Sequence, residues 1–178
     1  MKGHLLTSNE WFILITGITA YLIFFLLPKR FTRPQTLVML LISVYFVSLF
    51  DYTLCIEPFN YYDVNDSGQH GPWDFLSHVM YAPFAYFFNY GYSLIKKRRW
   101  TAMIYILVWA VFSLFAEALS WHAKVYHYRN GYQMYYSLVV YLFVLSLTML
   151  YHYCFIQSRA GEVNPGPPAG LQDPSRFR

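Results

Sequence analysis

Charge is scarce in this 178-residue chain, where Asp, Glu, Lys and Arg together make up 12% of the residues and hydrophobic residues 57%. So few charges cannot coat a soluble domain of this size. The apolar residues form five stretches of 18 to 22 residues without Lys or Arg, at positions 11–28, 36–56, 75–95, 100–121 and 135–156. A bilayer core of about 30 Å needs roughly 20 residues of helix. The sequence therefore predicts an all-α membrane bundle of five transmembrane helices within residues 1–156.

Cysteine and the motifs of soluble enzymes are also nearly absent. Cys55 and Cys154 are the two cysteines, and a five-helix topology places them at opposite faces of the membrane, too far apart for an intrachain disulfide. The loops are too short for a soluble catalytic or nucleic-acid-binding domain, so we expect no nucleic-acid partner. The sequence shows no nucleophile motif, phosphate-binding loop or haem-type ligand pair, and we predict no cofactor.

Basic residues are distributed by side of the membrane. Only Lys2, Lys124 and Arg129 of the thirteen fall on one side; the other ten are Lys29, Arg30, Arg33, Lys96, Lys97, Arg98, Arg99, Arg159, Arg176 and Arg178. The positive-inside rule then predicts that the N-terminus lies outside and the C-terminus in the cytoplasm. We expect the basic inner loops to face anionic lipid headgroups. Residues 157–178 are rich in Pro and Gly and predict a disordered cytoplasmic tail.

Ionisable residues within the apolar stretches are the strongest candidates for function. Asp51, His78 and Glu117 lie on three different predicted helices, each about 5 to 8 Å below the outer surface at a rise of about 1.5 Å per residue. An intramembrane carboxylate costs about 2.5–3.5 kcal/mol at a helix centre on insertion scales and less near an interface, so it normally faces the bundle and finds a partner. We predict that the three share one site. Its role is open between a hydrogen-bonded network that fixes helix register, a proton or ion site, and a metal-dependent catalytic site.

Further acids and histidines near the outer face could add metal ligands. Glu57, Asp74 and His122 are candidates for a divalent cation beside the intramembrane residues, although no specific spacing motif supports them. A second candidate is a calcium loop, because Asp63-x-Asn65-x-Ser67-Gly68 followed by Asp74 reproduces several loop positions; these ligands would be Asp63, Asn65, Ser67 and Asp74. A polar turn explains the same residues without a metal.

The outer loops hold more aromatic residues than interface anchoring needs. Seven tyrosines cluster there: Tyr61, Tyr62, Tyr126, Tyr128, Tyr132, Tyr135 and Tyr136. Tyrosine rings with hydroxyls pack on lipid headgroups, a glycan or a protein partner, and they also anchor loops at a membrane interface. In the third stretch, Pro83 removes a backbone hydrogen bond and predicts a kink.

A weak internal repeat relates two helical hairpins. The first two predicted helices align with the third and fourth at an offset of 64 or 65 residues, which brings Asp51 within one or two positions of Glu117. Duplication of a hairpin would give a parallel repeat. Chance similarity between apolar sequences is the alternative.

Several short segments of the last four predicted helices and their loops carry a resemblance to known sequences. They are YDVND at 62–66, WD at 73–74, YAPFAYFF at 81–88, YRNGY at 128–132 and YYS at 135–137. The chain resembles uncharacterised small multi-pass membrane proteins of Gram-positive bacteria, and the resemblance implies a bacterial plasma membrane but no activity.

The sequence alone favours a binding or accessory membrane protein with an acidic, Tyr-rich outer face. A protein partner or a second copy of the chain could occupy that face. One alternative is a membrane-embedded enzyme that acts on lipid or envelope substrates near the outer face. A small transporter or ion-binding subunit is the other.

Overall fold

The chain is helical apart from one small sheet. The computed structural model describes residues 6–64, 72–96, 98 and 100–157. Its elements are α1 (Ser8–Leu26), α2 (Arg33–Leu54), β1 (Tyr62–Val64), α3 (Pro72–Met80), α4 (Pro83–Leu94), α5 (Thr101–His122), β2 (Tyr126–Tyr128) and α6 (Ser137–Tyr151). A 3₁₀ turn at Met134–Tyr136 leads into α6, and a π-helix at His152–Gln157 continues it.

Four helical segments of the described chain are long and apolar enough to cross a membrane. They are Ser8–Leu26, Arg33–Leu54, Thr101–His122 and Met134–Gln157. Many of their apolar side chains point away from the protein, as for Phe25 and Val139, which are 76% and 70% exposed. Large apolar side chains without a protein neighbour are expected where lipid is the solvent. These features identify a helical membrane protein.

The first two helices begin three residues before the apolar stretches that predicted them. Each start is a capping box in which a threonine and a residue three positions later satisfy free backbone groups: Thr7 with Glu10 for α1, and Thr32 with Gln35 for α2. Hydropathy measures only the apolar part of a helix and misses these polar first turns. Helix α1 ends at Leu26, since Leu27 precedes Pro28 and is held in the extended conformation.

The third predicted helix is broken into α3 and α4. Pro83 has no backbone N–H to donate and instead starts α4 as its first residue, where that N–H is not needed. The Tyr21 hydroxyl of α1 donates to the Val79 carbonyl, at 3.1 Å, beside the break. The sequence predicts a kink in one continuous helix, whereas the structure ends one helix at Met80 and begins another at Pro83. The two helices have 9 and 12 residues, and each is too short to span a membrane alone.

Helix α4 lies at the centre of the bundle. It packs against α1, α2, α5 and α6, and its buried side chains include Phe88, Asn89 and Tyr92. Its approach to α5 depends on Gly91, because a Cβ there would lie 2.5 Å from the Tyr105 hydroxyl oxygen. That hydroxyl donates to the Phe88 carbonyl at 2.8 Å. The hydrogen bond holds the Tyr105 side chain in place, so it could not move aside for a larger residue at position 91.

Two loops for which the sequence predicts no regular structure form an antiparallel sheet. Strand β1 follows α2 and strand β2 follows α5, with Tyr62 opposite Tyr128 and Asp63 opposite His127. Arg129 reinforces the sheet by pairing with Asp63 through its guanidinium and by donating its backbone N–H to the Tyr61 carbonyl at 2.7 Å. A hydropathy average over the roughly 20 residues of a membrane helix does not resolve a strand of three residues.

Candidate functional site

Asp51 and His78 are in direct contact at the end of the bundle next to the sheet. Nε2 of His78 on α3 lies 2.8 Å from Oδ2 of Asp51 on α2, and both side chains are largely buried. The second carboxylate oxygen accepts a hydrogen bond from the Tyr62 hydroxyl at 2.8 Å. An ionised carboxylate can only accept, so Nε2 carries the proton in this pair. Two helices and a strand thus meet at one acid.

Glu117 lies on α5 and has its own partners. Its residue is only 6% exposed. Oε1 accepts from the hydroxyls of Tyr128 at 2.6 Å and Ser137 at 2.7 Å, and Oε2 accepts from Tyr141 at 2.8 Å. All three donors are uncharged. In the part of the chain that the structure describes, no Lys, Arg or His lies within ion-pairing distance of Glu117.

The tyrosines of the sheet keep their protons near the two acids. Burial raises the pKa of the Tyr62 hydroxyl, and the charge of Asp51 raises it further. Burial also raises the pKa of Tyr128, together with its hydrogen bond to Glu117. Both hydroxyls therefore stay protonated at neutral pH and can donate to the carboxylates. Cys55, at the end of α2, has its pKa raised to about 12 by burial and then by the charge of Asp51, so its thiol is not an activated nucleophile.

A cavity of about 190 Å³ lies beneath the sheet, between α2, α4, α5 and α6. Asp51 and Glu117 line the end nearest the sheet together with tyrosine residues, whereas the walls are mostly aromatic and aliphatic. Along α2 and α6, the apolar lining includes Ile42, Phe46, Phe50, Val140 and Val144. Outside the cavity lining, Gln35 links α2 to the end of α6: its side chain donates to the Phe155 carbonyl at 3.2 Å, and its backbone carbonyl accepts from the Tyr151 hydroxyl.

The three intramembrane residues are therefore brought together only in part. Asp51 and His78 form a pair, and Glu117 shares the cavity with Asp51. The two carboxylates have separate hydrogen-bond partners and share none. Asp51 and Glu117 thus form two separate acidic sites on one cavity, rather than the single three-residue site that the sequence predicts.

The other predicted ligands lie elsewhere. Glu57 and His122 are exposed, and Asp74 lies in the first turn of α3; none of the three lines the cavity. Asp63 pairs with Arg129, and the remaining calcium-loop residues of the proposed motif, Asn65 and Ser67, lie outside the described residues. Within the described ranges no three His, Cys, Asp or Glu side chains group as a metal site would require.

Sequence reasoning missed the donors that hold the acids. Tyr128 and Tyr62 were assigned only to a general outer cluster, and Ser137 and Tyr141 were given no role. The alternation Tyr126-His127-Tyr128 is a weak strand signal, and it places Tyr126 and Tyr128 on the same face of the strand. Ser137 and Tyr141 are four residues apart and so share one face of α6. Those spacings show which side chains face together, but not which carboxylate they reach.

Comparison with known proteins gives no relative. No protein-family model, no curated protein and no solved structure matches this chain.

Proposed function

We propose that this protein binds a small amphiphilic molecule within the membrane, with the polar group of that molecule at the outer end of the cavity. The observation that carries the proposal is a mostly apolar cavity of about 190 Å³ that has two largely buried carboxylates, Asp51 and Glu117, at one end. An apolar pocket with a few convergent polar groups is the usual form of a small-molecule site. This is a binding role rather than a catalytic one.

The dimensions of the cavity suit part of such a molecule. An engineered apolar cavity of about 150 Å³ in another protein binds benzene, so about 190 Å³ accepts an apolar group of that size or a short length of alkyl chain. On α2 the lining runs from Ile42 to Leu54, a rise of roughly 18 Å at about 1.5 Å per residue. The shape is therefore long relative to its volume, as an extended chain requires.

Five membrane crossings place the acidic end of the cavity on the outer side. In this topology α3 and α4 together make the third crossing, since the chain continues through the break at Pro83 with helices on both sides of it. The N-terminus is outside and the C-terminus is in the cytoplasm, because basic residues concentrate in the loops before α2 and after α4. We further propose that residues 1–156 form the transmembrane domain, with residues 157–178 as a cytoplasmic tail, in a bacterial plasma membrane.

The basic inner end supports binding to anionic lipid headgroups. The guanidinium of Arg30 lies 5.5 Å from the centre of the Tyr90 ring, and Lys29 and Arg33 flank it in the chain. A cation held over an aromatic ring keeps a defined position near the membrane surface. These residues would orient the bundle, and the cavity would carry the binding function.

A second candidate function is catalysis by the Asp51–His78 pair. A carboxylate 2.8 Å from an imidazole nitrogen can orient that imidazole as a general base. His78 does not itself line the cavity, so a substrate in the cavity would meet Asp51 and not the imidazole. This geometry makes binding the better supported of the two functions.

Photolabelling tests the proposed binding. A diazirine analogue of octanol, added to the full-length protein in lipid nanodiscs, should label cavity residues on α2 and α6, and excess octanol should compete. Ala116→Phe adds a ring inside the cavity, whereas the matched Val111→Phe adds one on an outward face of α5, where Val111 is 64% exposed. We expect the first variant to lose competable labelling and the second to keep it. Labelling confined to outward-facing residues, or unchanged in Ala116→Phe, would refute the proposal.

A further inference from the structure

We infer that the amphiphile this cavity accepts is an organic cation, with an ammonium group at Glu117 and an apolar chain between α2 and α6. The inference rests on the proposed function, because it names the chemical class of the ligand for the same cavity. It follows from the charge of the lining, from the partners of Glu117 and from the aromatic residues around it.

The lining of the cavity carries negative charge without compensation from its own residues. Asp51 and Glu117 are its two ionisable acids, and the described lining includes no Lys, Arg or His. Asp51 has an imidazole partner outside the lining, His78, at 2.8 Å. Glu117 has only hydroxyl donors. An ionised, largely buried carboxylate without a cation is costly, and a bound ammonium group would supply the missing charge.

The surroundings of Glu117 suit an ammonium group rather than a bare metal ion. Aromatic residues make up nearly half of the cavity lining. Tyr128 and Tyr141 contact Glu117 through their hydroxyls, and the Tyr132 ring lies 5.6 Å from the Tyr128 ring. The negative faces of such rings attract ammonium groups, and aromatic cages bind quaternary ammonium ligands in this way. A metal ion would instead need several oxygen ligands close together. The aromatic rings, the apolar walls and the second acid of the lining, Asp51, therefore favour an organic ammonium ligand over a metal ion.

Other ligand classes meet a definite obstacle in this cavity. An anionic amphiphile would bring its charge beside two carboxylates, and like charges disfavour binding. A neutral amphiphile would fill the apolar part but leave Glu117 with hydroxyl donors alone. If the acids serve only to hold the helices together, the cavity should show no preference for a cation over a neutral molecule of the same chain.

Three probes with one chain length separate these possibilities. Octyltrimethylammonium, octanol and octyl sulfate should be titrated by calorimetry into the full-length protein in neutral-lipid nanodiscs, with empty nanodiscs subtracted. We expect the cation to bind about tenfold more tightly than octanol, and octyl sulfate more weakly than both. Glu117→Gln should abolish the preference for the cation over octanol, and Glu117→Asp, which retains the charge, should keep that preference.

Each result has a distinct meaning. Equal affinities for the three probes, or a preference for octyl sulfate, would overturn the inference and leave amphiphile binding standing. Binding of none of the probes above empty nanodiscs would overturn amphiphile binding as well. A cation preference that survives in Glu117→Gln would show that Glu117 is not the recognition group. If Glu117→Gln does not fold, the order of the three affinities on the unchanged protein decides the question.

Discussion

The three hydroxyls around Glu117 make a quantitative prediction about stability. Replacing Tyr128 or Tyr141 with Phe removes one hydroxyl donor but keeps the ring, so packing is nearly preserved. The hydroxyl of Tyr128 lies 2.6 Å from Oε1 and that of Tyr141 2.8 Å from Oε2. Each substitution therefore measures the loss of one hydrogen bond to a largely buried carboxylate.

The magnitude follows from two reference values. A hydrogen bond to a charged group contributes about 1.5–3 kcal/mol in soluble proteins, and side-chain hydrogen bonds between membrane helices average about 0.6 kcal/mol. We expect each Tyr→Phe change at Tyr128 or Tyr141 to lower the free energy of unfolding by about 1–2 kcal/mol. The double variant leaves Ser137 as the sole hydroxyl donor among the described residues, and should lose at least about 0.5 kcal/mol more than the sum of the single changes.

Equilibrium unfolding in bicelles checks this prediction on all three variants. Tyr45→Phe is the matched control, because Tyr45 is 61% exposed on α2 and its hydroxyl has no hydrogen bond to a described residue. The control should stay within about 0.5 kcal/mol of the unchanged protein. The reasoning would be refuted if the Tyr128 and Tyr141 variants behaved like the control, or if their effects added within about 0.3 kcal/mol.

Two further predictions test the topology and the division of the site. A reporter fused after Arg33 should signal from the cytoplasm and one inserted at Asn130 from outside, because the basic loops face inward; exchanged signals would overturn the assignment. In double-mutant cycles of unfolding, Asp51→Asn and His78→Gln should couple by at least about 0.5 kcal/mol since they are in direct contact, whereas Asp51→Asn and Glu117→Gln should add within that amount. Coupling in the second cycle alone would contradict the described contacts.

The long helices were predictable from sequence where length and apolarity alone decide the structure. Length and apolarity located every long helix, because lipid demands both. The ends shifted where capping threonines or Pro28 acted, and Pro83 broke a stretch that hydropathy reads as continuous. Hydropathy sums over about 20 residues, whereas a cap or a proline acts on one turn, so the two kinds of signal are independent.

The sequence indicated that Asp51, His78 and Glu117 lie near one another along the bundle, but not which groups they contact. Asp51 does contact His78 and shares a cavity with Glu117, whereas the depth of the three residues in a membrane stays a prediction. Which groups touch depends on how the helices are rotated and on the pairing of β1 with β2, and the periodicity of single helices contains neither. Asp51 therefore contacts His78 directly, while Glu117 takes two donors from α6 and one, Tyr128, from β2.

The two acids and their tyrosines repeat one spacing, and this repeat determines how the small sheet is aligned. Tyr62 follows Asp51 by eleven residues, Tyr128 follows Glu117 by eleven, and the two tyrosines are directly opposite each other in the sheet. Three-residue strands have too few pairs to select their own alignment. A slip of one residue would turn one tyrosine to the opposite face of the sheet and take a donor from its carboxylate. The buried acids thus help to fix the register of the two strands. The paired tyrosines in turn link the end of α2 to the end of α5 through the sheet.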